Sequence, residues 1–288
     1  MRYAVNLPVV GEYSSPKALV ELTKDAEAAG WDAVFVWDSM VFDLGWKPPV
    51  TDPWIILGAI ASHTERVKIG TMVAQLARRR PWKVAREVAT LDQLSGGRMI
   101  LGVGLGFSGE AEFAQFGEDG DARVRADKLD EALAIVDGLC SGEPFGYEGK
   151  YYTLKETAFT PRPVQEQIPI WVAGYWPNKR PFRRAAQWDG AAPAEMDIRP
   201  DGFSILPSSP ETAKDIKAYI DQHRTSTAPY DIIVSRDLPD QAEEAEAMVK
   251  DYEEAGVTWL LRDMLPWEVP LSQAYSIVRG GPPSLNGW

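Results

Sequence analysis

The 288-residue chain holds one cysteine, Cys140, and two histidines, His63 and His223. A lone cysteine excludes an intrachain disulfide, and so few imidazoles leave no Cys/His zinc spacing, so no metal site is expected. Positive charge is also short: 30 Lys and Arg against 42 Asp and Glu give a formal net charge of −12. Such a balance repels polyanions, and nucleic acid is not an expected partner. No apolar run is long enough to span a membrane, and the first residues lack the charge, apolar stretch and small-residue pattern of a signal peptide. The reducing cytoplasm is the expected location. A disordered linker is missing too. With 45% hydrophobic and 25% charged residues, the composition is that of a globular protein with a sizeable core.

What is present is an alternation of short apolar runs with helical patterns. Residues 3–7 read as a buried strand, after which Ser15-Pro16 supplies an N-cap and first-turn proline for a helix that Gly30 ends. Residues 32–37, 67–73 and 98–103 repeat the strand pattern, with helices opening at Asp52-Pro53 and Pro81 and a glycine stop at Gly96-Gly97. Over 123–139, Leu129, Leu133, Val136 and Leu139 fall at helical spacing. The second half is less regular. Residues 147–154 read as a hairpin insertion, strands are expected at 168–173, weakly at 190–193, at 230–235 and at 257–262, and helices at 181–187, 211–223 and 241–254. Eight strands alternating with helices predict an α/β fold, a (β/α)8 TIM barrel with loop insertions forming one domain over 1–288. An open doubly wound sheet shares the alternation and stays open at this level.

In a barrel the chemistry sits at the C-terminal ends of the strands. The residues leaving the runs are Asp38 and Ser39, Met72 to Gln75, Gly104 to Gly106, and Gly174 to Trp176. Gly104 and Gly106 permit close approach, and Trp37 and Trp176 offer flat apolar surface, a combination suited to a fused-ring cofactor; singly, each also fits a turn or a packing role. Asp38 closes an apolar strand, where a carboxylate binds a ring nitrogen, moves a proton or caps a loop. Asn178, Lys179, Arg180, Arg183 and Arg184 stand where the fifth strand enters its helix, a phosphate candidate or a solvated basic face. Arg78-Arg79-Arg80 offers a second cationic stretch on the same rim. Gly104 to Gly109 matches G-x-G-x-x-G, but no helix begins within it and no acidic residue closes a following strand at the right distance, so a dinucleotide fingerprint is disfavoured. Gly106 to Glu110 misses the final glycine of a G-x-S-x-G elbow, which disfavours a hydrolase. Cys140 ends an apolar stripe and reads as a buried thiol.

Taken in order, Val36-Trp37-Asp38, Gly70-Thr71-Met72-Val73, Arg78-Arg79-Arg80-Pro81-Trp82-Lys83, Leu94-Ser95-Gly96-Gly97-Arg98, Leu101-Gly102-Val103-Gly104-Leu105-Gly106, Phe145-Gly146-Tyr147-Glu148-Gly149-Lys150-Tyr151-Tyr152, Pro169-Ile170-Trp171-Val172-Ala173-Gly174 and Trp188-Asp189-Gly190 resemble the bacterial luciferase-like family. The resemblance covers about two-thirds of the chain. It implies a barrel enzyme, often dimeric, that uses reduced FMN for oxygenation or the 5-deazaflavin coenzyme F-420 for hydride transfer. It also implies a cis peptide at Met72-Val73 behind the ring. Cofactor contacts are implied at Met72, Val73, Ala74, Gln75, Gly104, Leu105, Gly106, Ala173, Gly174, Tyr175 and Trp176, with a phosphate or tail site at Asn178, Lys179 and Arg180. Many relatives have histidine directly after the strand-end aspartate, whereas this chain has Ser39, which weakens alcohol or sugar dehydrogenation. The first expectation is therefore FMN-dependent oxygenation of a small organic substrate, with a flavin reductase as partner and a homodimer as assembly. The alternatives are an F-420-dependent reductase or dehydrogenase and a non-catalytic flavin-binding protein.

Overall fold

In the computed structural model, which describes residues 1–42, 47–106, 108–199, 202–239 and 241–283, the strands are, in chain order, β1 (Arg2–Leu7), β2 (Ala33–Val36), β3 (Lys68–Ala74), β4 (Met99–Val103), β5 (Phe145–Glu148), β6 (Thr153–Thr157), β7 (Ile170–Trp176), β8 (Gly190–Arg199), β9 (Gly202–Pro207), β10 (Asp231–Ser235) and β11 (Trp259–Asp263). Eight of them run parallel in the order β10-β11-β1-β2-β3-β4-β7-β8, and pairing of Asp231 with Gly190 and Ile232 with Ala191 joins the two ends. That closure decides for the (β/α)8 barrel and against the open sheet.

The helices α1 (Pro16–Ala29), α2 (Pro53–His63), α3 (Pro81–Ser95), α4 (Ala122–Cys140), α5 (Lys179–Ala185), α6 (Pro210–His223), α7 (Ala242–Glu254) and α8 (Leu271–Gly280) follow the strands around the wall. Their starts are written locally: the side chains of Ser15, Asp52, Asp121 and Ser209 accept backbone N–H groups at the starts of α1, α2, α4 and α6. Gly30 and Gly96, both left-handed, end α1 and α3. The helix α8 has no such signal, because Pro270 precedes it without a side-chain cap. It is fixed by burial of Ala274 and Val278 and by the Trp31 indole, which donates to the Val278 carbonyl at 2.9 Å.

Four boundaries differ from expectation in ways that matter for the site. Strand β3 runs one residue past its expected end at 73, to Ala74, and β7 runs three residues past its expected end at 173, to Trp176. Strand β8 runs ten residues instead of four, because its second half pairs antiparallel with β9, from Ala194↔Pro207 to Arg199↔Gly202. Strand β11 reaches Asp263. The expected hairpin is β5–β6, an antiparallel insertion tied to α4 by Glu131, whose carboxylate accepts from the backbone of Lys150, Tyr151 and Tyr152.

Alternation along each strand sends one set of side chains outward to the helices and the other into the lumen. Ala4, Ala33, Phe35, Ile100, Trp171, Ile233, Trp259 and Leu261 form the lumen core. The Trp171 ring lies 5.3 Å from the rings of Phe35 and Trp259, and the three plug the barrel. One layer above this apolar plug the lumen-facing residues change character: Asn6, Trp37, Tyr175, Ser235 and Asp263 occupy the mouth. No described helix is long and apolar enough to cross a membrane.

Candidate active site

Strand β3 carries the central irregularity of the mouth. It runs in register with β4 from Ile69↔Met99 to Thr71↔Leu101, then slips so that Ala74 meets Val103. The slip contains a cis peptide at Met72-Val73, where the resemblance placed one. Val73 then occupies the space over Gly104: a Cβ on Gly104 would sit 2.7 Å from Val73 Cγ2. The missing side chain at 104 thus serves the strand packing that shapes the mouth. Gly106 has φ +76, and a Cβ there would sit 2.0 Å from Gln75 Oε1. Gln75 is buried, its amide N–H donating to the Asp38 carbonyl at 3.0 Å while Oε1 has no partner. A buried amide oxygen without a donor is a costly arrangement and an acceptor waiting for one.

Asp38 is buried and charge-paired. Arg78 donates to its carboxylate at 3.0 Å and to its backbone carbonyl at 2.8 Å, and Arg79 approaches the other oxygen at 3.7 Å. Arg78 also lies 3.6 Å from Glu112, which accepts from the backbone N–H of Met40 at 3.1 Å. Burial pushes the Glu112 carboxyl up, against the lowering effect of Arg78 and the backbone donors. The strand-end carboxylate read as a proton-transfer candidate is therefore the centre of an ion-paired knot that joins the loops after β2, β3 and β4.

The two cationic stretches fare differently. At the start of α5, Arg180 pairs with Asp127 and, at 2.9 Å, with Asp130 of α4, and Arg184 pairs with Asp130 as well. Lys179 lies 3.2 Å over the Trp176 ring. The positive charge expected to hold a phosphate is in large part neutralised by carboxylates of the neighbouring helix. On the other side, a cavity of about 80 Å3 is lined by Ala77, Arg79, Arg80, Lys128, Tyr151 and Tyr152, with Arg78 and Glu118. Glu118 pairs with Lys128 at 3.0 Å and Arg79 with Glu87 at 2.8 Å, leaving Arg80 exposed at the cavity. This cavity is beside the lumen, not over it.

Apolar surface faces the mouth from two loops. Trp37, Phe42 and Trp267 form a ring cluster with centroids 6.0 to 6.2 Å apart, and the Trp267 side chain is about half exposed. Residues 43–46 of the loop after β2 and residue 107 of the loop after β4 lie outside the described residues. Ala173 lines the β7 wall below Tyr175, whose hydroxyl pKa is pushed up by burial, while Gly174 turns outward to α5, where a Cβ would sit 2.3 Å from Pro181 Cβ. Among the described residues no group of three or more His, Cys, Asp or Glu is placed to hold a metal ion.

Sequence reading passed over a polar set in the mouth. Asn6 and Asp263 are directly paired residues of β1 and β11, and the Asn6 amide donates to Asp263 Oδ1 at 2.7 Å. Ser235, at the end of β10, adds its hydroxyl to the same carboxyl. Asn6 Oδ1 is buried without a partner. The available signal was alternation: polar residues at 6, 235 and 263 stand two places after lumen residues Ala4, Ile233 and Leu261 in otherwise apolar strands.

Residues 1–256 match the family model described as luciferase-like monooxygenase. A coenzyme F-420-dependent glucose-6-phosphate dehydrogenase of Beutenbergia cavernae is 37% identical over 171 residues, which is 58% of this chain and 49% of that protein. The chain thus aligns with about half the length of this curated relative. Among solved structures, an F-420-dependent secondary alcohol dehydrogenase in complex with an F-420–acetone adduct superposes with a TM-score of 0.77 at 19% identity, covering 99% of both chains. A monooxygenase from Streptomyces bottropensis superposes with a TM-score of 0.74 at 18% identity over 97% of both. At those identities the superpositions establish the fold.

Proposed function

The chain belongs to the luciferase-like monooxygenase family, and on that premise we propose that it is a coenzyme F-420-dependent oxidoreductase that passes a hydride between the coenzyme and a small organic substrate. The observation that carries this reading is the 37% identity to a deazaflavin-dependent dehydrogenase. It moves the balance from FMN-dependent oxygenation, the first expectation, to its alternative.

The mouth fits a planar, hydrogen-bonding ring. Gln75 Oε1 is an unused acceptor, Gly106 keeps the space beside it free of a side chain, and the bulged Val73 with Ala173 offers a low-relief apolar wall. These residues would hold the ring, and the exposed Arg80 beside the 80 Å3 cavity would receive an anionic tail. When bound, the coenzyme supplies the hydride-transfer chemistry. The chain's part is to orient the ring, to exclude water with Trp37, Phe42 and Trp267, and to hold the loops through the Asp38–Arg78–Glu112 knot. Because Ser39 leaves that position without an imidazole, reduction of an electrophilic substrate is favoured over oxidation of an alcohol.

Equilibrium titration of the purified protein with coenzyme F-420 and with FMN, followed by fluorescence, tests the reading. The expected result is at least a tenfold lower Kd for F-420. Tighter binding of FMN would return the assignment to oxygenation with a separate reductase, and binding of neither would remove both.

A further inference from the structure

Hydride transfer to or from a polarised bond moves a proton as well, and among the described residues Asp38, Glu112 and Asp263 are carboxylates enclosed at the mouth. Asp38 and Glu112 are engaged with Arg78 and with loop backbone. Asp263 is different in each respect. It sits on a barrel strand, faces the lumen directly above the apolar plug, is partly exposed, and is held by two neutral hydrogen-bonding side chains, Asn6 and Ser235. Resting on the F-420 reading above, we propose that Asp263 is the acid–base residue of this site, donating the substrate's proton on reduction and taking it back on oxidation.

The step balances without further reactants. In reduction of a polarised C=C or C=O bond, the substrate carbon receives the hydride and the π pair moves to the other atom of the bond. That atom then bonds to the proton leaving Asp263, which is left as the carboxylate and reprotonated from solvent. Neighbours from each adjoining strand suit this role. Asn6 on β1 donates to Oδ1, fixing one oxygen and leaving the other for exchange. Ser235 on β10 contacts the same carboxyl. Burial holds the carboxyl in its protonated form to higher pH, the Asp237 charge adds to this, and the Ser235 and Asn6 hydrogen bonds and the Arg262 charge oppose it. Arg262 itself pairs with Asp237, so its charge is shared.

The sign for stability follows. A carboxyl raised in the folded state contributes stability that is full below its unfolded pKa of about 3.9 and is lost as pH rises through the folded value. Asp263→Asn removes that loss, since an amide of the same shape keeps hydrogen bonds with Asn6 and Ser235. A residue retained for chemistry at a cost in stability behaves in this way, and a structural one does the reverse.

The experiment compares wild type, Asp263→Asn and Ser235→Ala. Without coenzyme, wild type is expected to show an infrared carbonyl band of a protonated carboxylic acid that persists to higher pH than that of a solvated aspartate and that Asp263→Asn lacks, and the variant is expected to match or exceed the wild-type Tm at pH 8. With coenzyme F-420, the three proteins should bind within about threefold of one another. The bound coenzyme's absorbance should show a pH inflection in wild type, shifted in Ser235→Ala and absent in Asp263→Asn. With reduced coenzyme and cyclohex-2-enone or menadione, Asp263→Asn should be slower by about 100-fold or more on the enone, the lower end of general-acid contributions. An unchanged carbonyl band, an inflection that survives in Asp263→Asn, or an enone rate within threefold of wild type would overturn the proposal. A wild type that binds no F-420, or binds it and reduces neither acceptor, counts against the hydride-transfer reading, while the infrared band still decides Asp263.

Discussion

Glu27 shows how one side chain can organise a chain reversal in this protein. It lies near the end of α1, and its carboxylate accepts from three successive backbone N–H groups, those of Glu65, Arg66 and Val67, at 2.6 to 3.1 Å. Burial disfavours its charge, but the donors of Val67, Arg66 and Glu65 outweigh that and hold the carboxyl below its ordinary range. Glu27→Gln should therefore destabilise the fold by about 1 kcal/mol at pH 7, the value for a charged hydrogen-bonding group discounted for solvent screening. A depressed carboxyl stabilises above its unfolded pKa and loses that contribution as pH falls through the folded value. The gap between variant and wild type should close below about pH 4 in denaturant melts, since the ordinary Glu pKa is about 4.3. A gap independent of pH would remove the electrostatic account. At this scale sequence reading did well with caps and poorly with long-range partners: Ser15 and Asp52 announce their helices locally, whereas nothing near Glu27 names residues 65–67.

At the scale of elements, the Leu94-Ser95-Gly96-Gly97-Arg98 motif turns out to brace the wall opposite the mouth. The buried Arg98 guanidinium donates to the carbonyls of Ser95, Val67, Ala61 and Thr64 and to the Thr64 hydroxyl at 2.6 to 3.0 Å, joining the end of α3 to the end of α2 and the start of β3. Arg98→Met fills similar volume but strands those acceptors, and should cost about 3 kcal/mol or more, read as a lowered midpoint in urea with F-420 affinity changed little. An equal loss in coenzyme affinity would show that the brace also shapes the mouth. The same scale explains the misjudged strand ends. Ala74 and residues 174–176 stay in strand because β4 and β8 continue beside them, Ala74 pairing with Val103 and Gly174 to Trp176 with Pro193 to Glu195. Likewise β8 runs to Arg199 only because β9 folds back on it.

For the molecule as a whole, the lumen plug is both core and floor. Trp171, fully enclosed between Phe35 and Trp259, supports the mouth from below. Trp171→Ala should cost about 3 to 5 kcal/mol through the cavity it leaves, and should weaken coenzyme binding because the floor beneath the ring sags. Calorimetry and the same titration check both, and an unaltered Kd would separate the core from the site. The alternation of strands with helices and most of the individual elements were determined by the sequence alone, since period, caps and glycine stops are properties of neighbours along the chain, whereas closure of the sheet into a barrel came from the pairing of β8 with β10. The tertiary structure alone also decided the use of individual residues: Asp38 spent on Arg78, Arg180 spent on α4 carboxylates, and Asn6, Ser235 and Asp263 gathered from both ends of the chain. Pairing and burial depend on which strands become neighbours when the barrel closes, and residues 6 and 263 meet only because β11 returns to lie beside β1.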